Sequence, residues 1–210
     1  MPGLIHGLEA ERVRANLERV RERAGEGVEV LAATKYVPAE EMGALADAGI
    51  SLVGENRLQD LEDKQERWGD AFEWDFIGNV QSRKVKGILP RVRLIHSVAS
   101  DSVLRQLERH AGETTEVLVE VNVVGEETKG GIAPAELGSF IGRCPVRVSG
   151  LMTMPPFSTE PEDSRALFRR LAELAREHGL GRLSMGTSQD WEVAIDEGAT
   201  IVRLGTTLYA

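Results

Sequence analysis

The 210-residue sequence contains little cysteine and little lysine. Cys144 is the only cysteine, which excludes a disulfide framework and a cysteine metal cluster. A reducing cytoplasm fits this composition, and we interpret Cys144 as a small structural hydrophobe. No apolar run approaches the length of a membrane span. The N-terminal stretch "MPGLIHGLEAERVRANLERVRERAG" is a charged helical pattern and does not resemble a signal peptide.

Basic residues are outnumbered by acidic ones, giving a net charge of -9. This balance argues against a nucleic-acid or anionic-membrane surface, because both require clustered basic residues. The four histidines, at positions 6, 96, 110 and 178, show no metal-ligand spacing, so the sequence supports no metal site. The acidic surface favours a monomer.

The remaining pattern is a regular alternation of strand and helix signals after one amphipathic N-terminal helix that ends near Gly25. Each predicted strand except the last is followed by a helical segment. The predicted strands cover residues 28–36, 51–56, 74–79, 93–98, 116–123, 146–154, 182–188 and 200–209.

Eight strand–helix units in one short chain predict parallel pairing and a (β/α)8 TIM-type barrel. We expect a single domain over residues 1–210, with the extra N-terminal helix covering the eighth strand. The alternative is an open doubly wound sheet. No G-x-G-x-x-G turn follows the first strand, which counts against that alternative.

Polar residues accumulate at the predicted C-terminal ends of the strands, where barrels of this kind place their active sites. Strands 7 and 8 end in "SMGTSQD" and "RLGTT". This corner favours a phosphate site built from hydroxyls and backbone N–H groups. The alternative is that Thr187 or Ser188 caps the next helix, with Asp190 completing a capping box. Both interpretations remain open at this point.

Lys35 is unusual because it follows a buried-strand pattern of small and apolar residues. Its ammonium group could extend to solvent at the barrel mouth, it could pair with Glu55 or Glu120, or its amine could attack an aldehyde as a Schiff-base lysine. The third interpretation requires a carbonyl ligand nearby, and a phosphate corner across the barrel mouth would supply a reason for one. Pyridoxal 5′-phosphate combines an aldehyde with a phosphate on one ring. Arg203 could be the partner of the pyridine nitrogen of that ring.

Several stretches of the sequence, taken in order, resemble the family of pyridoxal phosphate homeostasis proteins. The matching stretches are "AATKYVP", "GENRLQD", "WDFIGNVQSRKVK", "IHSVAS", "EVNVVGEETKGGI", "GLMTM" and "LSMGTSQDWEVAIDEGATIVRLGTTLY". The resemblance implies a barrel like the N-terminal domain of alanine racemase that carries pyridoxal 5′-phosphate.

The same resemblance implies a role for individual residues. Lys35 matches the family's Schiff-base lysine, Arg203 the partner of the pyridine nitrogen, and Lys129 a lysine implicated in secondary cofactor contact or transfer. Asn56 matches a polar residue near the cofactor ring, and Met185 matches a residue that packs near the cofactor. Ser184, Gly205 and Thr206 match residues that contact the phosphate.

The function implied is reversible Schiff-base binding of the cofactor, with buffering and delivery to pyridoxal-phosphate-dependent apoenzymes, and no catalytic residue. A cationic Arg203 disfavours protonation of the pyridine nitrogen, which weakens the ring as an electron sink. An amino-acid racemase of the same fold is the alternative. It would need a second acid/base opposite Lys35, and Tyr36 is expected to point away from Lys35 on the same strand. A Schiff-base aldolase is a further, less favoured alternative.

Overall fold

The computed structural model describes residues 3–125 and 130–210, and its strands close into a barrel of eight parallel strands in sequence order. The first strand pairs with both the second and the eighth. The strands are β1 (Glu29–Ala33), β2 (Leu52–Glu55), β3 (Glu73–Phe76), β4 (Leu94–Val98), β5 (Glu116–Glu120), β6 (Arg147–Met152), β7 (Arg182–Thr187) and β8 (Ile201–Leu204). The predicted (β/α)8 barrel is therefore confirmed.

Helices follow the strands and form the outer layer. They are α1 (Ala10–Ala24), α2 (Met42–Asp47), α3 (Leu58–Trp68), α4 (Val85–Ile88), α5 (Asp101–His110), α6 (Leu137–Arg143), α7 (Arg165–Glu177), α8 (Trp191–Asp196) and α9 (Thr206–Tyr209). Of the helices within the described ranges, none has the length and hydropathy that crossing a bilayer requires.

The N-terminal helix α1 covers the end of the barrel sequence, as expected. It contacts α2, α8 and α9, and Val13, Leu17 and Val20 on its inner face are buried. The buried Asn16 amide donates to the carbonyls of Leu208 and Ala210 at 3.1 and 3.0 Å. These bonds satisfy the last carbonyls of α9, which have no partner within the helix.

Several strand predictions were too long, and the first and eighth strands show how the chain continues instead. The first strand ends at Ala33, and residues 34–37 form a turn. The eighth ends at Leu204, and the predicted strand residues beyond Gly205 form the helical turn α9. The alternation of apolar and polar residues in "RLGTTLY" is shared by a short amphipathic helical turn, so the pattern alone did not separate the two.

The core has two layers. A large layer lies between strands and helices. A small apolar cluster fills the barrel itself and consists of Leu31, Leu52, Leu94, Leu118, Met152 and Ile201. Polar side chains, including His96, Ser184 and Arg203, are also buried in the barrel, and Arg203 lines the pocket at its C-terminal mouth.

Candidate functional site

One pocket of about 350 Å³ opens at the C-terminal mouth of the barrel. Its lining contains five of the predicted site residues, which the fold brings together from β1, β2 and β8 and the segments that follow them. These five are Lys35, Asn56, Arg203, Gly205 and Thr206.

Lys35 lies in the turn after β1, and its side chain is exposed within the pocket lining. Its Nζ atom lies 4.9 Å from the centre of the Tyr36 ring. The expectation that Tyr36 points away from Lys35 is therefore wrong. Side-chain alternation applies within a strand, and both residues lie beyond the end of β1.

The suggested pairing of Lys35 with Glu55 is also wrong. The fully buried Glu55 carboxylate forms an ion pair with Lys64 of α3. The same carboxylate accepts a hydrogen bond from the Thr34 hydroxyl at 2.6 Å and one from the Asn56 N–H at 3.2 Å. No carboxylate among the described residues forms an ion pair with the Lys35 amine, so the amine is available to a ligand.

Asn56 follows β2 and presents an amide to the pocket. Its Oδ1 atom is buried and has no hydrogen-bond partner, which is costly unless a ligand or water supplies a donor. Gly78 fixes the backbone here, because a Cβ at that position would lie 2.1 Å from the Asn56 carbonyl oxygen. The Asn56 amide oxygen is therefore a buried acceptor at the pocket wall that no described residue satisfies.

Ser184 and Met185 of β7 do not line the pocket. Ser184 is fully buried inside the barrel, where its Oγ atom contacts His96 and Arg203. Met185 is fully buried on the opposite side of the strand and packs in the layer between strands and helices. The phosphate contact and the packing role that the family resemblance implied for these two residues have no support in this geometry.

A bulge in β7 brings the following residues to the pocket instead. The register between β7 and β8 shifts between Ser184 and Thr187. Gly186 has a φ of 89°, and a Cβ there would lie 2.6 Å from the Ala194 side chain, so glycine is required. As a result Thr187, Ser188 and Gln189 line the pocket.

Ser188 connects the two loops of the predicted phosphate corner. Its Oγ atom accepts hydrogen bonds from the Gly205 and Thr207 N–H groups at 3.0 and 3.2 Å. A Cβ on Gly205 would meet no atom closer than 4.0 Å, so this part of the pocket is open to a ligand. These two N–H groups are occupied by Ser188, and the Ser188 hydroxyl proton has no acceptor among the described residues, so it is the free donor that this open corner offers to an anionic group.

The capping interpretation is realised only in part. The Asp190 carboxylate accepts hydrogen bonds from the Thr187 N–H at 2.7 Å and from its hydroxyl at 3.1 Å. The Thr187 hydroxyl accepts no N–H group of α8, so it does not cap that helix. The Ser188 hydroxyl faces the corner with Gly205, which leaves the corner interpretation in place.

Arg203 is the cation of the site and is 4% exposed. One of its Nη atoms donates to Ser184 and the other donates to the Thr153 carbonyl at 3.0 Å. Burial lowers its pKa to about 10, while the charges of Glu120 and Asp190 act in the opposite direction. Arg203 is therefore still charged at neutral pH.

The second tyrosine, Tyr209, also lines the pocket. Its hydroxyl donates to the Ala33 carbonyl at 3.2 Å, and burial raises its pKa, with the Glu55 charge adding to the effect. A tyrosine held neutral in this way is a hydrogen-bond donor and a poor base. Exposed Met154 and Phe157 extend the apolar part of the rim.

Sequence reasoning missed the buried Lys64, although a signal for it exists. Leu61, Lys64 and Trp68 lie at helical i, i+3 and i+7 spacing, which places Lys64 on the inward face of α3. Lys129 lies outside the described residues. Within the described ranges, no group of three or more His, Cys, Asp and Glu residues is arranged to hold a metal ion.

Taken together, the pocket contains a primary amine, an unpaired amide oxygen, a buried cation and a corner of N–H and hydroxyl groups. Such a set fits a rigid ligand with a carbonyl group, a ring acceptor and an anionic group. Comparison with known proteins agrees with this chemistry. Residues 8–210 match the family model described as "Alanine racemase, N-terminal domain".

Relatives named pyridoxal phosphate homeostasis protein align over nearly the whole chain. The one from Aquifex aeolicus is 44% identical over 95% of this chain and 96% of its own length. The one from Pseudomonas aeruginosa is 37% identical over 94% and 92%.

Solved structures give the same result. PipY of Synechococcus elongatus, solved with PLP bound, has a TM-score of 0.82 at 31% identity and covers 94% of this chain and 100% of its own. Alanine racemase of Corynebacterium glutamicum has a TM-score of 0.76 at 19% identity, covering 96% of this chain and 61% of its own. At that identity the second likeness supports the fold alone.

Proposed function

Since the chain belongs to the pyridoxal phosphate homeostasis protein family, with the barrel of the alanine racemase N-terminal domain, we propose that it binds pyridoxal 5′-phosphate reversibly as a Schiff base on Lys35. The observation that carries the proposal is that Lys35, Arg203 and the Ser188–Gly205–Thr206 corner line the same pocket. When bound, the cofactor supplies a reactive aldehyde on an electron-withdrawing ring.

Each group of the pocket has a separate task. The Lys35 amine holds the aldehyde carbon, and the charged Arg203 guanidinium donates toward the pyridine nitrogen. The corner formed by Ser188, Gly205 and Thr206 holds the phosphate. The unpaired Asn56 oxygen receives a donor beside the ring. Ser184 and Met185 stay outside this contact set, one beneath Arg203 and the other behind β7.

We propose that the protein buffers the cofactor in the cytoplasm and delivers it to pyridoxal-phosphate-dependent apoenzymes, in keeping with the name of its relatives. Two features support holding over catalysis. Arg203 is a cation that disfavours protonation of the ring nitrogen. Tyr209, which lines the pocket, donates its proton to a backbone carbonyl and has a raised pKa.

A racemase-type activity is the second candidate function. The position of Tyr36 supports it, because a racemase needs a second acid/base close to the lysine. The Tyr36 ring lies beside the Lys35 amine and lines the pocket. An assay of amino-acid racemisation by the cofactor-loaded protein over a panel of amino acids separates the two functions. Robust turnover would make catalysis the main function.

The primary test is covalent trapping on the purified protein. After loading with pyridoxal 5′-phosphate, borohydride reduction and peptide mapping should place the pyridoxyl label on Lys35. Lys35→Ala should lose the visible Schiff-base absorbance, and Lys86→Ala, which changes an exposed lysine of α4, should retain it. A label on another lysine, or an unchanged spectrum in Lys35→Ala, would refute the assignment.

Delivery is tested by mixing the loaded protein with a pyridoxal-phosphate-dependent apoenzyme in the presence of a phosphatase that destroys free cofactor. Direct transfer predicts activation of the apoenzyme that persists despite the phosphatase. Loss of activation at the same rate as with free cofactor would show simple release into solution.

A further inference from the structure

A row of polar side chains crosses the barrel interior beneath the pocket. We propose that this row, which we call the interior relay (Arg93, Asp75, His96, Ser184 and Arg203), acts to position Arg203, with His96 as a neutral positioning residue. Asp75, His96 and Ser184 are fully buried. In a barrel this small, such positions usually carry apolar side chains.

The relay begins near the N-terminal ends of the strands. Arg93 donates to both oxygens of Asp75, at 3.1 and 2.9 Å, and also pairs with Glu29 at 2.6 Å. Burial alone would raise the pKa of Asp75, but the hydrogen bonds from His96 and Arg93 hold it below its usual value. The Asp75 carboxylate is therefore a fixed acceptor in the middle of the barrel.

The hydrogen bonds of the relay have only one consistent direction. Arg203 has no acceptor atom, so it donates to the Ser184 Oγ atom. Ser184 has one proton of its own, which it donates to His96 Nδ1 at 2.8 Å. His96 then carries its proton on Nε2 and donates to Asp75 Oδ2 at 3.0 Å.

A second proton on His96 would disrupt this arrangement of hydrogen-bond donors and acceptors. It would place two donors on the Ser184 oxygen and leave the serine proton without an acceptor. It would also place a new cation beside Arg203 and Arg93, while Asp75 is the only carboxylate in contact with the His96 ring among the described residues. Burial lowers the pKa of His96, in agreement with the neutral form.

The end of the relay at Arg203 contains no carboxylate that pairs directly with the guanidinium group. Arg203 forms no ion pair among the described residues, and its hydrogen bonds go to Ser184, to the Thr153 carbonyl and to the Met154 sulfur, the last at 3.7 Å. These neutral acceptors fix the guanidinium while leaving its charge available to a ligand. A directly paired carboxylate would instead neutralise the cation that faces the pocket.

The first experiment uses the protein without ligand, so it does not depend on the proposed function. Nitrogen NMR of the histidine rings should show His96 protonated on Nε2 and unprotonated on Nδ1 from pH 5.5 to 9. The signals of the exposed His6, His110 and His178 serve as internal references for solvent-accessible rings. A second proton on His96 within this pH range, or a proton on Nδ1, would overturn the relay.

The second experiment asks whether the relay positions Arg203. In the wild type, the Arg203 guanidinium nitrogens should give separate NMR signals, because hydrogen bonds restrict rotation. Ser184→Ala and His96→Phe should average those signals. Ser149→Ala is the matched control, since it removes a buried serine hydroxyl that has no partner. Unchanged Arg203 signals in Ser184→Ala would overturn the proposal.

The ligand experiment rests on the proposed function. Ser184→Ala should weaken pyridoxal 5′-phosphate binding about tenfold, the typical effect of losing one hydrogen bond to a charged group, and Ser149→Ala should leave it unchanged. Equal affinity in Ser184→Ala would overturn the link between the relay and the ligand. Absence of binding by the wild type would refute the proposed function, and the NMR results would still decide the relay.

Discussion

Ser188 is the residue at which the two loops of the phosphate corner meet. It accepts two backbone N–H groups from the segment after β8, and its own carbonyl accepts the Thr207 hydroxyl at 3.3 Å. One side chain therefore sets the spacing between the loop after β7 and the loop after β8. Removing it affects both the hydroxyl and the placement of Gly205.

We expect Ser188→Ala to weaken binding of pyridoxal 5′-phosphate about tenfold, since a charge-assisted hydrogen bond is lost. Binding of pyridoxal, which lacks the phosphate, should change far less. Titration by absorbance gives both affinities, and Ser139→Ala, at an exposed position of α6, is the control. An equal loss for both ligands would assign Ser188 a role in general pocket stability.

The sequence indicated a corner whose residues line the pocket, but the serine that the resemblance pointed to is not among the residues that line it. The motif "SMGTSQD" contains two serines, and the family resemblance pointed to Ser184. The bulge at Gly186 decides which of them reaches the pocket. A single-residue register shift reverses the side of the strand on which each side chain lies, and a motif carries no information about that shift.

At the scale of elements, α3 supports the turn that carries Lys35. Lys64 of α3 donates to the Thr34 carbonyl at 2.7 Å and pairs with Glu55 at the end of β2. Thr34 directly precedes Lys35. The helix, the strand end and the turn are therefore joined through one buried ion pair.

We expect Lys64→Met to lower the free energy of unfolding by about 3–5 kcal/mol, because the buried Glu55 carboxylate loses its counter-charge. Urea unfolding measures this loss, and Lys64→Met combined with Glu55→Gln should recover a large part of it. Lys86→Met, at an exposed lysine of α4, is the control. If the double variant is no more stable than the single one, the buried charge is not the cause.

The order and type of the elements could be predicted because eight strand–helix alternations leave few topologies. The ends of the elements were harder to predict from the sequence, as the turn at residues 34–37 and the helix α9 show. Their conformation depends on contacts with distant residues, such as the Tyr209 hydroxyl bond to Ala33 and the Asn16 bonds to α9. Local patterns do not contain those contacts.

For the whole molecule, two interior groups link stability to pH in the same direction. Burial lowers the pKa of His96, and hydrogen bonds from His96 and Arg93 lower that of Asp75 despite its burial. A lowered pKa in the folded state means that the unfolded chain binds more protons. The stabilising contribution of these two groups is therefore fully present at neutral pH and is lost as the pH falls.

We expect the free energy of unfolding to drop by up to about 2 kcal/mol between pH 6.5 and pH 5, the limit for one histidine that stays neutral while folded. Urea unfolding at a series of pH values measures the slope. His96→Phe should flatten it in this window, and His110→Phe, at an exposed position, should not. An unchanged slope in His96→Phe would assign the acid sensitivity to other groups.

Closure of the barrel has a consequence for how the molecule folds. The pocket draws on the turn after β1 and on β8, and one of its hydrogen bonds joins residues 176 positions apart in the chain. Contacts of such long sequence separation form late, since the entropy of a long loop must be lost first. Partly folded chains in which β8 has not yet paired with β1 therefore lack this pocket, so formation of the pocket reports closure of the barrel.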